Sequence, residues 1–423
     1  MLMAKQSSLI KDILTLFTGN AIAFLAPVML YPVLSRMFTP GDYAVFGLYS
    51  SIFAFLEIAS AGRYDFAIVM PKQGDDGINI IAGGFFISVI YSVFILVLAI
   101  FLKDFVALKL NNVDLAKWLI WLPVGLLFIS ISKLCNAWLI RAKKFKSASI
   151  NKASQKIAEG SAQMTFGFLV VGNGLVLGDI AGRLFNALFS IHQAIKYGLD
   201  KSKVEINSIK FNLRNYVEFP KFGILPAMLN ALGGMLPVFI ISMYYSVDES
   251  GNFNFSRILL SAPFALIATG ISQVLMQQVS EKKNENEPIL NEVYSLALKL
   301  LVISTIGTII VYLFGPVLFE FVFGAKWRIA GEYTSILILS TSISLVVSPF
   351  SILLVVLGKI KWVSYWQVFY FAFVSSLWLL KSVDIFYFLT AIVAIDLVSY
   401  LLYGAVIIKA VHDYNKALAK THV

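Results

Sequence analysis

Apolar residues recur along this chain in windows of about 20, the length that carries a helix across the roughly 30 Å hydrocarbon of a bilayer. Twelve windows stand out, the first six near Ile13 to Leu34, Ala44 to Met70, Ile78 to Leu102, Trp118 to Leu139, Ser154 to Val171 and Leu175 to Ile195. The other six run near Phe222 to Tyr245, Phe253 to Gln278, Glu292 to Phe314, Ala330 to Val356, Trp362 to Leu380 and Asp384 to Ile408. Short polar segments between them carry most of the lysines and arginines. The pattern predicts an all-α integral membrane protein of about twelve transmembrane helices.

Composition agrees with the windows: of 423 residues 59% are hydrophobic and 14% charged, against about a quarter charged in a soluble domain. The windows span the whole chain, which excludes a soluble domain on a single anchor. The net charge of +10 changes meaning once its placement is read. With the N-terminus inside, inner segments hold 23 of the 34 basic residues and outer segments hold 7. Such an excess marks the cytoplasmic side, so both termini are expected there and no nucleic-acid partner is needed. Lys5 and Lys11 precede the first window without a small-residue cleavage site, which reads as a retained helix. Cys135, alone in an apolar window, permits no internal disulfide.

The longest inner loop is basic and divides the helices six and six. The expected organisation is a half over 1–196, a linker over 197–221 that rests on anionic headgroups or only sets topology, a half over 222–408 and a cytoplasmic tail over 409–423. Gly41-Asp42-Tyr43 before the second window and Asp248-Glu249-Ser250 before the eighth are offset by 207 residues. Ala61 to Ile68 faces Thr269 to Met276 at an offset of 208. Six helices per half give both halves one orientation, which predicts two related halves around a central cleft, an architecture of transporters. Pro27, Pro32, Pro226, Gly233-Gly234 and Pro237 place helix-bending residues in windows 1 and 7; they either gate or shape packing. Trp118, Trp121, Trp362 and Trp366 suit an interfacial belt.

Leu34-Ser35-Arg36-Met37-Phe38-Thr39-Pro40-Gly41-Asp42-Tyr43, Gly62-Arg63-Tyr64-Asp65-Phe66 through Pro71-Lys72, the pairs Phe219-Pro220, Leu225-Pro226 and Leu236-Pro237, Pro263 with Ile271-Ser272-Gln273-Val274, and Phe323-Gly324 with Trp327 and Ala330-Gly331-Glu332-Tyr333 form a spread set of motifs. Together they resemble the Wzx-type polysaccharide flippases of the multidrug/oligosaccharidyl-lipid/polysaccharide exporter superfamily. Ala44 stands where that family more often has Gly, and the segment Asp248 to Gly251 lacks its usual Gly-Pro start. The resemblance implies a flippase for undecaprenyl-diphosphate-linked oligosaccharide repeat units in O-antigen or capsule synthesis, in a bacterial inner membrane. It also implies a polysaccharide polymerase and a chain-length regulator as partners beside membrane lipids, and no cofactor or metal.

An ion at mid-bilayer costs at least about 2.5 kcal/mol on insertion scales, so each charge inside a window needs a reason. Arg63, with Asp65 and Glu57, lies inside the cleft if helix 2 runs on to Pro71, and is a loop charge if the helix ends at Gly62. Inside, its guanidinium would grip a diphosphate bidentately. Arg257, in the first turns of helix 8, is either its repeat counterpart or an interface residue. Lys133 and Arg183 complete the candidate substrate-binding cations. Asp179, four residues before Arg183, shares its helix face and can neutralise it. Asp396 has no nearby cation in sequence; it is neutral, or a proton or sodium site. Lys299 reads as snorkelling and Glu159 as interfacial.

No HExxH, GxSxG or paired-carboxylate motif is present and the outer loops are short, so an enzyme is not expected. The nearer rival is an ion-coupled multidrug/cation exporter of the same superfamily, which would need an anionic cleft rather than a cationic one. The charge asymmetry makes its own prediction: reporter fusions at both ends should report a cytoplasmic location, and an external signal from a fusion after Val423 would overturn the twelve-span topology.

Overall fold

The computed structural model describes residues 28–71, 74–169 and 172–421. Most of the first window with Lys5, Lys11 and Pro27, together with Lys72, Val171 and Val423, lies outside them. The chain is helical: α1 over 28–37, α2 Pro40–Glu57, α3 Gly74–Lys109, α4 Leu115–Leu119, α5 Leu122–Arg141, α6 Phe145–Phe168, α7 Gly174–Lys196, α8 Ile206–Asn215 and α9 Glu218–Tyr244. There follow α10 Val247–Asn284, α11 Leu290–Phe323, α12 Arg328–Val347, α13 Ser351–Val356, α14 Ile360–Ser375 and α15 Ile385–Thr421.

Nine helical stretches among the described residues are long and apolar enough to cross a membrane, so this is a multi-pass membrane protein. Two further windows are helical but more polar: α2 carries Asp42 and Glu57, and α6 carries Lys146, Lys152, Lys156 and Glu159. The longest helix, α10, has 38 residues, or about 57 Å, and so outruns the hydrocarbon at its ends. The chain divides into two compact units, Met1–Leu232 and Gly233–Val423, with the division inside α9.

The second window departs from expectation. Its α-helix stops at Glu57, after 18 residues, and Ile58 to Met70 continues as turns closed by i to i+3 bonds such as Gly62 N–H to Ala59 and Ala67 N–H to Tyr64. Gly62 and Arg63 both take the left-handed conformation, with φ of 59° and 61°, and two such residues in succession cannot continue a right-handed helix. The segment is nonetheless buried: Ala61, Tyr64, Ala67 and Ile68 pack with Leu134, Cys135 and Trp138. Irregular backbone survives at membrane depth when protein encloses it and its polar groups are paired.

The two units open their second spans with the same chemistry. Thr39 caps α2 and exchanges hydrogen bonds with Asp42, while Ser246 caps α10 and exchanges them with Glu249. Each pair forms a capping box that satisfies two orphan amides. Thr39 to Ser246 and Asp42 to Glu249 are both separated by 207 residues, the spacing of the faint sequence repeat. The tryptophans divide: Trp121 and Trp362 are exposed, but Trp118 is buried and Trp366 stacks on Tyr403 at 4.2 Å, so the latter two are packing residues rather than belt residues.

The first unit is drawn together where α6 meets α7. Gly174, Gly178 and Gly182 recur every fourth residue on one face of α7. A Cβ at Gly178 would sit 2.7 Å from the Gln163 backbone nitrogen, and one at Gly182 would sit 2.8 Å from the Cα of Glu159. Small residues at this spacing let helix backbones touch, which in lipid supplies dispersion energy that no hydrophobic effect provides. Gly178→Leu or Gly182→Leu is expected to lower the detergent melting temperature, by an overpacking cost of about 1–3 kcal/mol. Gly234→Ala, with open space around the new methyl, should leave it unchanged; equal effects at all three positions would refute the packing argument.

Candidate functional site

In the first unit the intramembrane charges find partners. Asp179 and Arg183, one helical turn apart on α7, form a bidentate pair with Nε to Oδ2 at 2.7 Å and Nη2 to Oδ1 at 2.8 Å. The guanidinium also lies 3.7 Å from the centre of the Phe53 ring, a cation–π contact from α2. Lys133 on α5 meets Glu57 at the end of α2, Nζ to Oε1 at 2.7 Å, and donates to the Glu57 carbonyl as well. It is thus a cross-helix ion pair. Glu159 is buried in the protein and bound to Lys156 at 2.7 Å. Asp65 interacts with Lys133, Arg63 and Glu57. Four acids, Glu57, Asp65, Glu159 and Asp179, thus stand against four bases, Arg63, Lys133, Lys156 and Arg183.

Arg63 lies on the broken segment, outside any continuous helix. Its guanidinium donates to the Gly223 carbonyl at 3.3 Å and rests 5.1 Å from the Phe66 ring centre. Neither contact neutralises it. Tyr64, next in sequence, donates to the Leu213 carbonyl at 2.9 Å and anchors the segment to α8.

The second unit holds a cavity of about 380 Å³ whose wall includes Arg257, Ser340, Ser344, Tyr370, Asp396 and Tyr400. Because α10 starts at Val247, six residues before the expected start, Arg257 lies about 15 Å along it rather than in its first turns. Asp396 lies about 17 Å along α15 by the same measure. Its carboxylate accepts from Tyr370 Oη at 2.9 Å and from Ser340 Oγ, and only 8% of the residue is exposed. Arg257 has no carboxylate or hydrogen-bond partner among the described residues. Trp366, stacked 5.2 Å from Tyr370, stiffens that wall. The hydroxyl donors on Asp396 escaped the sequence reading, although Ser340-Thr341-Ser342-Ile343-Ser344, a polar run inside an apolar window, is the signal that would find them. Lys299 is exposed on α11.

Chemically the first unit presents nearly balanced charges, in which Arg63 is hydrogen-bonded only to a carbonyl and shares the field of Asp65 with Lys133. The second presents a lone guanidinium facing the same cavity as a hydroxyl-bound carboxylate. The fold is that of a multi-pass, all-helical membrane protein. Residues 33–332 match the family described as polysaccharide biosynthesis protein, and the chain belongs to that family. Its fold is similar to the lipid II flippase MurJ in an inward closed conformation, with a TM-score of 0.71 at 12% identity over 97% of this chain and 91% of that one. It is also similar to a multidrug resistance MATE family transporter of the MOP superfamily in an inward-facing conformation, with a TM-score of 0.67 at 13% identity over 97% and 96%. The MATE transporter ClbM in complex with Rb+ gives 0.58 at 16% identity over 95% and 97%. Among curated proteins none matches the sequence significantly.

The Asp179–Arg183 pair has side-chain exposures of 5% and 12%, so removing one member strands the other charge away from water. Asp179→Leu alone should destabilise the protein by about 3–5 kcal/mol, whereas Asp179→Leu with Arg183→Met should recover most of that loss. Thermal unfolding in one detergent compares them, and a double variant no better than the single would show that the pair does more than neutralise itself.

Proposed function

We propose that this protein is a flippase that moves undecaprenyl-diphosphate-linked oligosaccharide repeat units from the inner to the outer leaflet of a bacterial inner membrane, for O antigen or capsule, by alternating access. The observation that carries the reading is Arg257: a guanidinium about 15 Å along an apolar spanning helix, lining a cavity, with no ion-paired or hydrogen-bonded anion among the described residues. An arginine in hydrocarbon requires a counter-charge, and a diphosphate crossing the membrane requires cations. Each meets the other's need. The family and the fold shared with a lipid II flippase support a lipid-linked cargo.

In this reading Arg63 and Arg257 supply positive charge to the diphosphate during its passage. Lys133 and Arg183 also raise the local potential, but Glu57 and Asp179 already engage them, so their share is smaller. Asp396, with Asp65 as a second candidate, is the ion-coupling group: a carboxylate held by two hydroxyls in an apolar wall exchanges a proton or a sodium ion as the cavity's exposure changes. A polymerase would receive the product on the outer side and a chain-length regulator would act with it, while both termini stay cytoplasmic.

The test is genetic and then chemical. Deletion should abolish surface polymer and leave lipid-linked units facing the cytoplasm. Arg63→Lys and Arg257→Lys should retain part of the transport, because charge survives without the bidentate fork, and the alanine variants should lose more. Parental transport by a well-inserted Arg63→Ala/Arg257→Ala double variant would withdraw both assignments. Persisting polymer together with reduced efflux of cationic dyes would favour the multidrug exporter instead.

A further inference from the structure

The first unit also holds an apolar hollow that includes none of the intramembrane charges above in its lining. It is a groove of about 610 Å³ lined by Ile78, Ile81, Ala82 and Phe85 of α3, Ile191 and Ile195 of α7, and the chain from Gly198 to Val204. From Ile78 to Phe85 it follows α3 for about 10 Å, starting one turn inside the polar end of that helix. One end of the groove is therefore at a headgroup level and the rest at the level of hydrocarbon.

Its walls are fixed rather than loosely draped. Lys203 pairs with Asp75 at 2.9 Å, Asn79 donates to the Lys203 carbonyl and accepts from the Glu205 amide, and Asn212 of α8 donates to Asp76 at 2.9 Å. Leu213 packs so tightly on Gly83 that a Cβ there would come within 2.9 Å of it. These bonds clamp the linker onto the first turns of α3 and hold the groove open between α3 and α7.

Charge at the mouth is positive on balance, three lysines against the carboxylate of Asp200, which is also part of the lining. Lys144 and Lys196 lie 5.0 and 5.8 Å from the Tyr197 ring centre, next to Gly198 at the rim, and Lys201 is itself part of the lining. None of the three meets a carboxylate among the described residues. Of the nearby acids, Asp75 is bound to Lys203, and Asp200 accepts from the Ser202 amide and hydroxyl at 2.9 and 2.8 Å and keeps its negative charge, so the three lysines leave a net positive rim. Beyond the rim, α8 exposes Ile206 and Phe211 on either side of Lys210 and Arg214, the mixed face of a helix that lies in a membrane interface.

We propose that this groove is the binding site of one anionic phospholipid, its phosphate between Lys144, Lys196 and Lys201 and one acyl chain along Ile78, Ile81, Phe85, Ile191 and Ile195. A hydrocarbon wall without cations would take any lipid. Three unpaired ammonium groups at the headgroup end select a negative one, and a basic side chain near such a surface contributes about 1 kcal/mol, or roughly five-fold in affinity. The occupied groove cements the linker to α3 and α7 of the first unit, a role separate from carrying cargo.

Native mass spectrometry of the full chain in detergent, titrated with phosphatidylglycerol or with phosphatidylcholine of the same acyl chains, reads the site directly. The parent should retain phosphatidylglycerol preferentially, and Lys144→Gln/Lys196→Gln/Lys201→Gln should lose roughly five-fold of that preference per lysine while holding phosphatidylcholine as before. Ala82→Phe, which fills the groove, should weaken retention of both lipids. Equal retention of the two lipids by the parent, or a preference that survives both sets of changes, overturns the site. Displacement of bound phosphatidylglycerol by one equivalent of undecaprenyl diphosphate overturns the phospholipid as occupant and gives the groove to the cargo's tail.

Discussion

A charge in hydrocarbon has to bring its counter-charge with it, and the arrangement of this protein's interior follows from that requirement. The first unit meets it locally: Asp179 holds Arg183, Glu57 holds Lys133 and Glu159 holds Lys156. Two are pairs one turn apart on a single helix, Glu57–Lys133 joins α2 to α5, and each leaves little net field. Against this neutral background, Arg63 and Arg257 are exceptions. Arg63 has a carbonyl and a ring; Arg257 has neither carboxylate nor carbonyl among the described residues. In the function proposed above, these two positions matter because a site satisfied by its own residues has nothing to offer an anionic cargo.

Pairing of this kind depends on how closely the helices pack. Glycines at positions 174, 178 and 182 bring α7 against α6 until the backbone at Glu159 lies where a Cβ of residue 182 would be. That approach sets Glu159 beside Asp179 and Arg183 so that all three interact. A larger residue at 182 would separate the helices and also displace a buried carboxylate. In the second unit Gly315 and Gly331 play the same part between α11 and α12, where a Cβ at Gly331 would lie 2.6 Å from the Cα of Pro316. Packing and electrostatics here are one constraint, since the small residues that admit close contact also fix which ions face each other.

Much of this was open to sequence reasoning, and the remainder fails for identifiable reasons. Helix positions are legible because hydrocarbon demands about twenty apolar residues wherever the chain crosses it; α6 is legible by its neighbours rather than its own polar composition. Asp179 and Arg183 are readable as a pair because an α-helix brings residues four apart together. Glu57 and Lys133 are 76 positions apart, and only the packing of α2 on α5 introduces them. The capping boxes at Thr39 and Ser246 explain why the faint repeat falls where it does: helix starts constrain a few polar positions tightly, while the apolar bodies of the spans drift freely. The depth of Arg257 was misjudged because polar residues from Val247 to Asn252 resemble a loop, and the Ser246 cap recruits them into the helix.

The break at Gly62 and Arg63 is not matched at the position that the expected repeat would pair with it. At the offset of 208, Gly62 corresponds to Gly270, which continues undisturbed within α10. A non-glycine residue held in the left-handed region costs on the order of 1–3 kcal/mol and persists only where its surroundings over-determine it. They do so here: Tyr64 is tied to Leu213, the Arg63 guanidinium to Gly223, and Ala61, Ala67 and Ile68 are buried around the turn. The strained residue is itself the cation. The broken segment turns the backbone aside, and the guanidinium leans on a carbonyl of α9 that it can release without exposing a buried carboxylate. Arg257 reaches a comparable state by another route, a straight helix with no anion beside it. The first unit uses backbone strain and the second a cavity wall, and both leave one arginine without an ion pair of its own among the described residues.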